Sequence, residues 1–408
     1  MNAFDTLKER GFVSQCSNEE GLRKLMDTEQ VTFYIGFDPT YPSLHVGHVL
    51  QLMFMAHLQR AGHRPIALLG GGTARIGDPT GRSEARKILP YETIKTNGEV
   101  FRGQISRFLD FTNDKALMLD NAEWLAPLNY VEFLRDIGKY FSVNRMLSFE
   151  AYKARMETGL SFIEFNYQIL QSYDFLVLHQ RHGCRLQMGG DDQWGNIVAG
   201  MDLIRRVEGV EAFALTSPLV TRSDGKKMGK SEGGALFLAP ELVSPYEFYQ
   251  FFVNIADADV ETFMRRFTFL PLTEISAVCA AKDQRINEAK HRLAYEVTAV
   301  VHGADAAAEA RDASRAAFSE NGGDMSGVPT MEVSRAELEA GVNVVDLFVR
   351  AGLCATKSDA RRLVTQGGAY VNKNNVSSVE ATVTPEMAED NALLLRAGKK
   401  RYFRILVK

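Results

Sequence analysis

Residues 31–73 read VTFYIGFDPTYPSLHVGHVLQLMFMAHLQRAGHRPIALLGGGT. Val31 to Phe37 is a short apolar run rich in β-formers, and Asp38-Pro39-Thr40 ends it with a turn in which proline fixes the backbone. From Val46 to Arg60 the apolar residues recur at helical spacing, until Ala61-Gly62 closes the helix. Pro65 to Leu69 is the next buried strand, followed at once by Gly70-Gly71-Gly72-Thr73. Strand, helix and strand in one short span make a βαβ unit with a parallel sheet, so this stretch opens an α/β nucleotide-binding domain.

Working outward, residues 1 to about 30 read as a helical lead-in, and further helices are expected across 98–110, 130–137 and 161–179. A strand at 184–188 (CRLQM) runs into Gly189-Gly190-Asp191-Asp192-Gln193. Ligands of open α/β sheets collect at the C-terminal ends of strands, which makes this loop a second candidate wall of a site. Thr221 to Gly234, rich in lysine, glycine and serine, reads as an exposed, mobile loop. Beyond Ser244-Pro245, helices at 246–256, 257–267, 272–279 and 283–302 follow without strands and mark a separate helical domain. The stretch near 319–342 is a linker containing short structure. A third unit then brings helices at 344–350 and 358–366 and strands around 369–372, 392–395 and 402–407. The expected organisation is 1–244, 245–320, a linker at 321–342, and 343–408.

Bulk composition narrows the class. With 408 residues and 45% hydrophobic content, the chain can bury a large core and divides into two or three domains. Apolar segments are short and broken by charge or glycine, so no membrane span is expected, and the first ten residues lack an apolar signal core. Cys16, Cys184, Cys279 and Cys354 are too scattered for a CxxC metal cluster or a disulfide framework. A reducing, cytoplasmic location is the simplest expectation. Net charge is −4, but residues 344–408 hold 11 Lys/Arg against 6 Asp/Glu, a local excess that suits phosphate.

Three constellations stand out. His45 and His48 sit three apart at a helix start, so they share a face next to a positive helix end. Gly47 between them leaves room for a flat ring. Phosphate contact, locally hydrogen-bonded histidines and a zinc site are the competing readings, and no acidic or cysteine third ligand lies nearby for zinc. Asp224-Gly225-Lys226-Lys227-Met228-Gly229-Lys230-Ser231 offers flexible point charges between glycines but lacks the P-loop spacing, and it reads either as a phosphate clamp or as an ordinary lysine-rich surface loop. Tyr167, Gln171 and Asp174 fall at i, i+4 and i+7 on an otherwise apolar helix; with Tyr34 and Asp78 they form a polar-ligand pocket or a structural hydrogen-bonded cluster.

YIGFDPT-YPSLHVGH and KMGKS resemble the two signature motifs of class I aminoacyl-tRNA synthetases. GGTARIGDPTGRSE, FLRDIGKYFSVNRM, GLSFIEFNYQILQSYDF, LQMGGDDQWGNI and SPYEFYQFF resemble the bacterial-type tyrosyl-tRNA synthetases, and AGLCATKSDARRLVTQGGAYVN resembles their S4-type RNA-binding module. The resemblance covers nearly the whole chain. It implies a Rossmann-like parallel-sheet catalytic domain, an α-helical domain and a small α+β S4-like domain. It also implies an enzyme that activates L-tyrosine with ATP and transfers it to tRNA(Tyr). His45, His48 and Thr40 would hold ATP and the transferring phosphate. Lys227 and Lys230 would close over the phosphates, and Arg82 lies where the family often supplies another basic contact. Asp192 would bind the ribose; Gly36, Asp38, Gly47, Gly190 and Gln193 would shape the nucleotide pocket. Asp78, Tyr167 and Gln171 would cage the substrate ammonium, Tyr34 and Asp174 would recognise the phenolic hydroxyl, and Gln187 would complete the polar wall.

Magnesium would accompany ATP without a dedicated protein metal site. Lys357, Arg361, Arg362, Lys399, Lys400 and Arg401 would contact tRNA, together with the helical region from 246 to 320. The family resemblance also implies a homodimer. The apolar stretch 124–141, with Trp124, Leu125, Phe133, Leu134 and Phe141, fits either that interface or the core. Three departures are visible: Ile35 replaces a small polar cysteine, the loop from Gly77 to Glu84 is short, and Asp191 replaces a common serine, which would put two carboxylates beside the nucleotide. The related tryptophanyl enzymes, and an RNA-binding protein on a synthetase scaffold, are the alternatives; Tyr34 with Asp174 speaks against the first, the retained histidines and lysines against the second.

Overall fold

The computed structural model describes residues 2–80, 89–221, 230–231, 234–280, 286–318, 328–389, 391–398 and 401–408. The chain divides into two compact units. The first comprises Met1–Lys230, Ala235–Ala239 and Ile255–Leu293, and the second Ser231–Gly234, Pro240–Asn254 and Ala294–Lys408.

The first unit is built on six strands, β1 (Gln15–Cys16), β2 (Thr32–Phe37), β3 (Arg64–Leu69), β4 (Leu117–Asp120), β5 (Leu186–Gly190) and β6 (Phe213–Ser217), in the order β1-β6-β5-β2-β3-β4. All neighbours are parallel except β1, which pairs antiparallel to β6. Parallel strands are covered on both faces, and accordingly Phe33, Tyr34 and Ile35 are all buried. The order reverses between β2 and β5, where Tyr34 pairs with Gln187. That switch point opens a crevice at the C-terminal edge, between the loops after β2 and after β5.

Among the described residues, ten helices accompany the sheet between residues 3 and 208: α1 (Ala3–Glu9), α2 (Glu19–Thr28), α3 (Val46–Arg60), α4 (Tyr91–Ile105), α5 (Ala122–Leu125), α6 (Tyr130–Asp136), α7 (Val143–Leu147), α8 (Glu150–Thr158), α9 (Phe162–His182) and α10 (Trp194–Glu208). The α3 boundaries match the sequence expectation. The helix expected at 98–110 starts earlier, because Pro90 takes the N-cap position while the polar first turns conceal the apolar period. The lead-in is two helices with the β1 strand between them, too short to show a period of two. Ser161 and Glu164 form a capping box at the start of α9, and Gly183 ends it in the left-handed conformation.

Helices Val260–Phe267 and Leu272–Cys279, expected in a separate helical domain, group with the sheet unit. One reason is Arg10, whose buried guanidinium donates to the carbonyls of Arg265, Thr268 and Leu270 at the end of the first of these helices.

In the second unit, helix Pro245–Val253 packs against Ala304–Phe318. A five-stranded sheet runs in the order 374–375, 369–371, 392–397, 401–407, 330–333. The short structure inside the expected linker is thus an edge strand of this sheet, parallel to its neighbour. Helices Val344–Arg350 and Lys357–Thr365 cover one face over a core that includes Leu347, Phe348, Leu393 and Ile405.

Candidate active site

The turn after β2 leads into α3 with His45 as N-cap. The Gly47 N–H donates to His45 Nδ1 at 3.1 Å, and the His45 N–H donates to His48 Nδ1 at 3.1 Å. An Nδ1 that accepts leaves the ring proton on Nε2, so this network assigns both imidazoles as Nε2–H donors. Burial lowers the pKa of both, and of His48 well below the ordinary imidazole range, so the pair is neutral near pH 7. A Cβ at Gly47 would lie 2.9 Å from His45 Cε1, so the missing side chain makes room for the His45 ring itself. The local hydrogen-bond reading of the two histidines is therefore correct for Nδ1, and it leaves Nε2 of each for other work. Gly36 faces open space in β2, with nothing within 4 Å of where a Cβ would be.

Three of the candidate ligand-binding residues keep buried polar atoms that lack protein partners. Tyr34 Oη, Gln171 Oε1 and Gln187 Oε1 are buried without hydrogen-bond partners among the described residues. Buried polar atoms left open in this way fit a polar ligand rather than a finished core. Asp174, 2% exposed, accepts from Asn121 Nδ2 at 2.9 Å and from Trp124 Nε1 at 2.7 Å. Burial pushes its carboxyl up to about 8 against the lowering effect of those two donors, and the charges of Asp38 and Asp120 raise it further. Burial, and secondarily the Asp174 charge, raise the Tyr34 phenol well above its usual value. Asp174 is thus close enough to act electrostatically on the open Tyr34 hydroxyl.

Other candidate residues are already joined to one another by hydrogen bonds. Asp38 accepts from Tyr167 Oη at 2.9 Å and from Thr73 Oγ1 at 2.7 Å, and Thr73 Oγ1 in turn accepts from Asn121 Nδ2 at 2.9 Å. A continuous relay therefore joins Tyr167, Asp38, Thr73, Asn121, Asp174 and Trp124. Asp78 accepts from the Thr80 N–H at 2.9 Å and from Gln193 Nε2 at 2.7 Å, which ties the loop after β5 to this wall. Thr73 and Asn121 were not singled out in the sequence. Their position just past the ends of β3 and β4, on the same edge as the crevice, was the available signal. Trp124 is core and a partner of Asp174, while Leu134 is exposed.

In the loop after β5, Asp192 is exposed, and a Cβ at Gly190 would lie 2.6 Å from its Oδ1. Asp191, expected to stand with Asp192 beside the nucleotide, is engaged by side chains of the protein. It turns to the sheet edge and accepts from Ser14 Oγ at 2.5 Å, Thr216 Oγ1 at 2.6 Å and Gln15 Nε2 at 3.2 Å. Ile35 is buried in β2. Gln51, one helical step beyond His48 on α3, donates to Ser217 Oγ at 2.9 Å and keeps a buried Oε1 without a partner. Thr40 is half-buried, its N–H bonded to the Asp38 carbonyl at 2.8 Å. Arg82 and Lys227 lie outside the described residues; Lys230 opens a two-residue strand, and its side chain is outside the description too. Among the described residues, no group of three or more His, Cys, Asp or Glu side chains is arranged to hold a metal, and no helix is long and apolar enough to cross a membrane.

In the C-terminal sheet unit, Lys357 pairs with Asp346 and Arg362 with Asp359, both at 2.6 Å on the surface. Arg361 and Arg401 are exposed. Lys399 and Lys400 lie outside the described residues.

Residues 26–319 match the family described as tRNA synthetases class I (W and Y), and residues 321–405 match the tyrosine--tRNA ligase SYY-like C-terminal domain. A tyrosine--tRNA ligase of Caldanaerobacter subterraneus subsp. tengcongensis is 54% identical over 408 residues, 100% of both chains. One of Treponema denticola is 55% identical over 405 residues, 99% of each chain. Among solved structures, a C-terminally truncated mitochondrial tyrosyl-tRNA synthetase of Aspergillus nidulans is similar with a TM-score of 0.69 at 31% identity, covering 78% of this chain and 94% of that one.

Proposed function

The chain belongs to the tyrosine--tRNA ligases of the class I tRNA synthetases and joins tyrosine to tRNA, and from that premise we propose how its residues divide the work. The tyrosine carboxylate attacks the α-phosphate of ATP, giving tyrosyl-adenylate and pyrophosphate. A ribose hydroxyl of the terminal adenosine of tRNA(Tyr) then attacks the acyl carbon and releases AMP. Both steps need alignment and charge stabilisation more than a protein nucleophile.

The observation that carries this reading is the set of buried polar atoms without partners, Tyr34 Oη on β2, Gln187 Oε1 on β5 and Gln171 Oε1 on α9, with Asp174 of the same helix acting electrostatically on Tyr34. Tyr34 and Asp174 take the phenolic hydroxyl; Asp78, Tyr167 and Gln171 take the ammonium; Gln187 closes the wall. A phenol donating to Asp174 and accepting from Tyr34 satisfies both groups. Phenylalanine leaves both unmatched. His45 and His48 present neutral Nε2–H groups where negative charge grows on phosphate, with Thr40 beside them. Asp192 holds the ribose, while Gly36 and Gly190 let the nucleotide lie close to the backbone. Lys227, Lys230 and Arg82 complete the phosphate contacts. Magnesium travels with ATP as a counter-ion of its phosphates.

Arg361, Arg401, Lys357, Arg362, Lys399 and Lys400 supply a basic surface for folded tRNA, with the salt dependence that phosphate contacts bring. Exposed Tyr130, Val131 and Phe162 (57%, 73% and 69%) support assembly as a homodimer. The enzyme works in the cytoplasm. The test is ATP–pyrophosphate exchange with tyrosine, tryptophan and phenylalanine, followed by charging of tRNA. Exchange with tyrosine alone is the expected result, and exchange driven by tryptophan would overturn the pocket assignment.

A further inference from the structure

Asp191 is the feature that the reaction chemistry leaves unexplained. It begins the short turn Asp191–Gln193, whose N-cap residue Gly190 supplies no side-chain cap. What holds this turn instead is its two ends. Gln193 is bonded to Asp78 at 2.7 Å. Asp191 is gripped by three donors, two from the N-terminal segment and one from β6. Ser14 and Gln15 are themselves laid on β6 by the backbone: the Ser14 N–H donates to the Thr216 carbonyl at 2.8 Å, and Gln15 pairs with Thr216 in register. Between these two anchored neighbours stands Asp192, exposed.

We propose that Asp191 is a positioning residue for the nucleotide: by binding Ser14, Gln15 and Thr216 it fixes the turn that presents Asp192, and so makes the N-terminal strand part of the ATP site. The inference rests on the reading that Asp192 binds the ribose. A carboxylate suits this task better than a neutral side chain. It accepts on both oxygens at once, and its charge-assisted bonds hold a loop that has no cap of its own. Removing it leaves Thr216, fully buried, without its acceptor and frees the turn to shift. Tyrosine should be affected less than ATP, because its contacts come from α9, β2, β5 and the loop after β3, of which Asp78 is bonded to this turn through Gln193.

The test measures KM for ATP, for its 2′- and 3′-deoxy analogues and for tyrosine in pyrophosphate exchange, using full-length D191A, D191N, the double variant S14A/Q15A and D192A. For D191A the expected result is a rise of about tenfold in KM for ATP, a smaller change in KM for tyrosine and reduced preference for ATP over the deoxy analogues. D191N should recover most of the loss, because its amide oxygen still accepts from Thr216 and Gln15 while its amide nitrogen donates to the Ser14 hydroxyl. S14A/Q15A removes two donors without touching the loop, should shift KM for ATP the same way, and carries the test if D191A does not fold. An unchanged KM for ATP in D191A and S14A/Q15A, with D192A impaired, overturns the positioning role. So does a loss that falls equally on ATP and its deoxy analogues. If D192A itself leaves the preference for ATP intact, the ribose assignment is what has failed.

Discussion

Asp174 carries two opposing demands. It accepts most strongly from the substrate phenol in the ionised form, yet burial pushes its carboxyl up to about 8. Tyrosine binding therefore draws a proton off the protein below that pH. Affinity for tyrosine should tighten as pH rises from 6 towards 8 and level off above it, with proton release measurable by calorimetry in buffers of different ionisation enthalpy. A flat profile would contradict the ionised acceptor. For stability the sign is opposite: a carboxyl raised above its unfolded value contributes most at low pH, and that contribution is lost as pH climbs through the folded value. Thr73 is the second residue-scale test. Its hydroxyl donates to Asp38 and accepts from Asn121, so Thr73→Val breaks the link between the two carboxylates while keeping the shape. KM for tyrosine should rise about tenfold, with Thr73→Ser close to wild type; equal losses in Ser and Val variants would show that packing, not the hydroxyl, matters.

Among the elements, the loop after β3 is the tightest. A Cβ at Gly70 would lie 1.9 Å from Asp38 Oδ1 and 2.5 Å from Thr73 Oγ1. Gly70→Ala must displace that carboxylate, and a displacement on the order of 1 Å at a positioning group costs about a hundredfold in kcat/KM for tyrosine. Activity within a few-fold of wild type would mean that Asp38 does not position substrate. The α3 helix and its two flanking strands were readable in the sequence because short apolar β-rich runs, a proline turn and helical spacing all agree there. So was the polar stripe Tyr167, Gln171 and Asp174 on α9. What escaped was contact across the chain. Asn121 is 53 residues from Asp174 in sequence, and nothing local marks it as that residue's partner. Asp191 is a second case: Ser14, Gln15 and Thr216 are far from it in sequence, and nothing local marks them as its partners.

For the whole molecule, composition already separated an acidic body from a basic tail, but not which helices belong to which unit. That division depends on tertiary grips such as Arg10 on three carbonyls, which leave no periodic trace. The tail's role separates from the chemistry experimentally. Reversing Arg361 and Arg401 to Glu in the full chain should weaken tRNA charging, raising KM for tRNA about tenfold at moderate salt, and leave tyrosine-dependent pyrophosphate exchange intact. Loss of both activities together would place these arginines in folding rather than in RNA contact.

Everything in the account turns on a pocket that senses a single hydroxyl group. The most direct measurement is the ratio of kcat/KM for tyrosine over phenylalanine in pyrophosphate exchange, for the wild type and for Asp174→Ala. Enzymes of this type discriminate by about 10⁴–10⁵. The account predicts a wild-type ratio of that order and a collapse of the ratio in the variant, driven by lost tyrosine activity. A variant that keeps the wild-type ratio would contradict it.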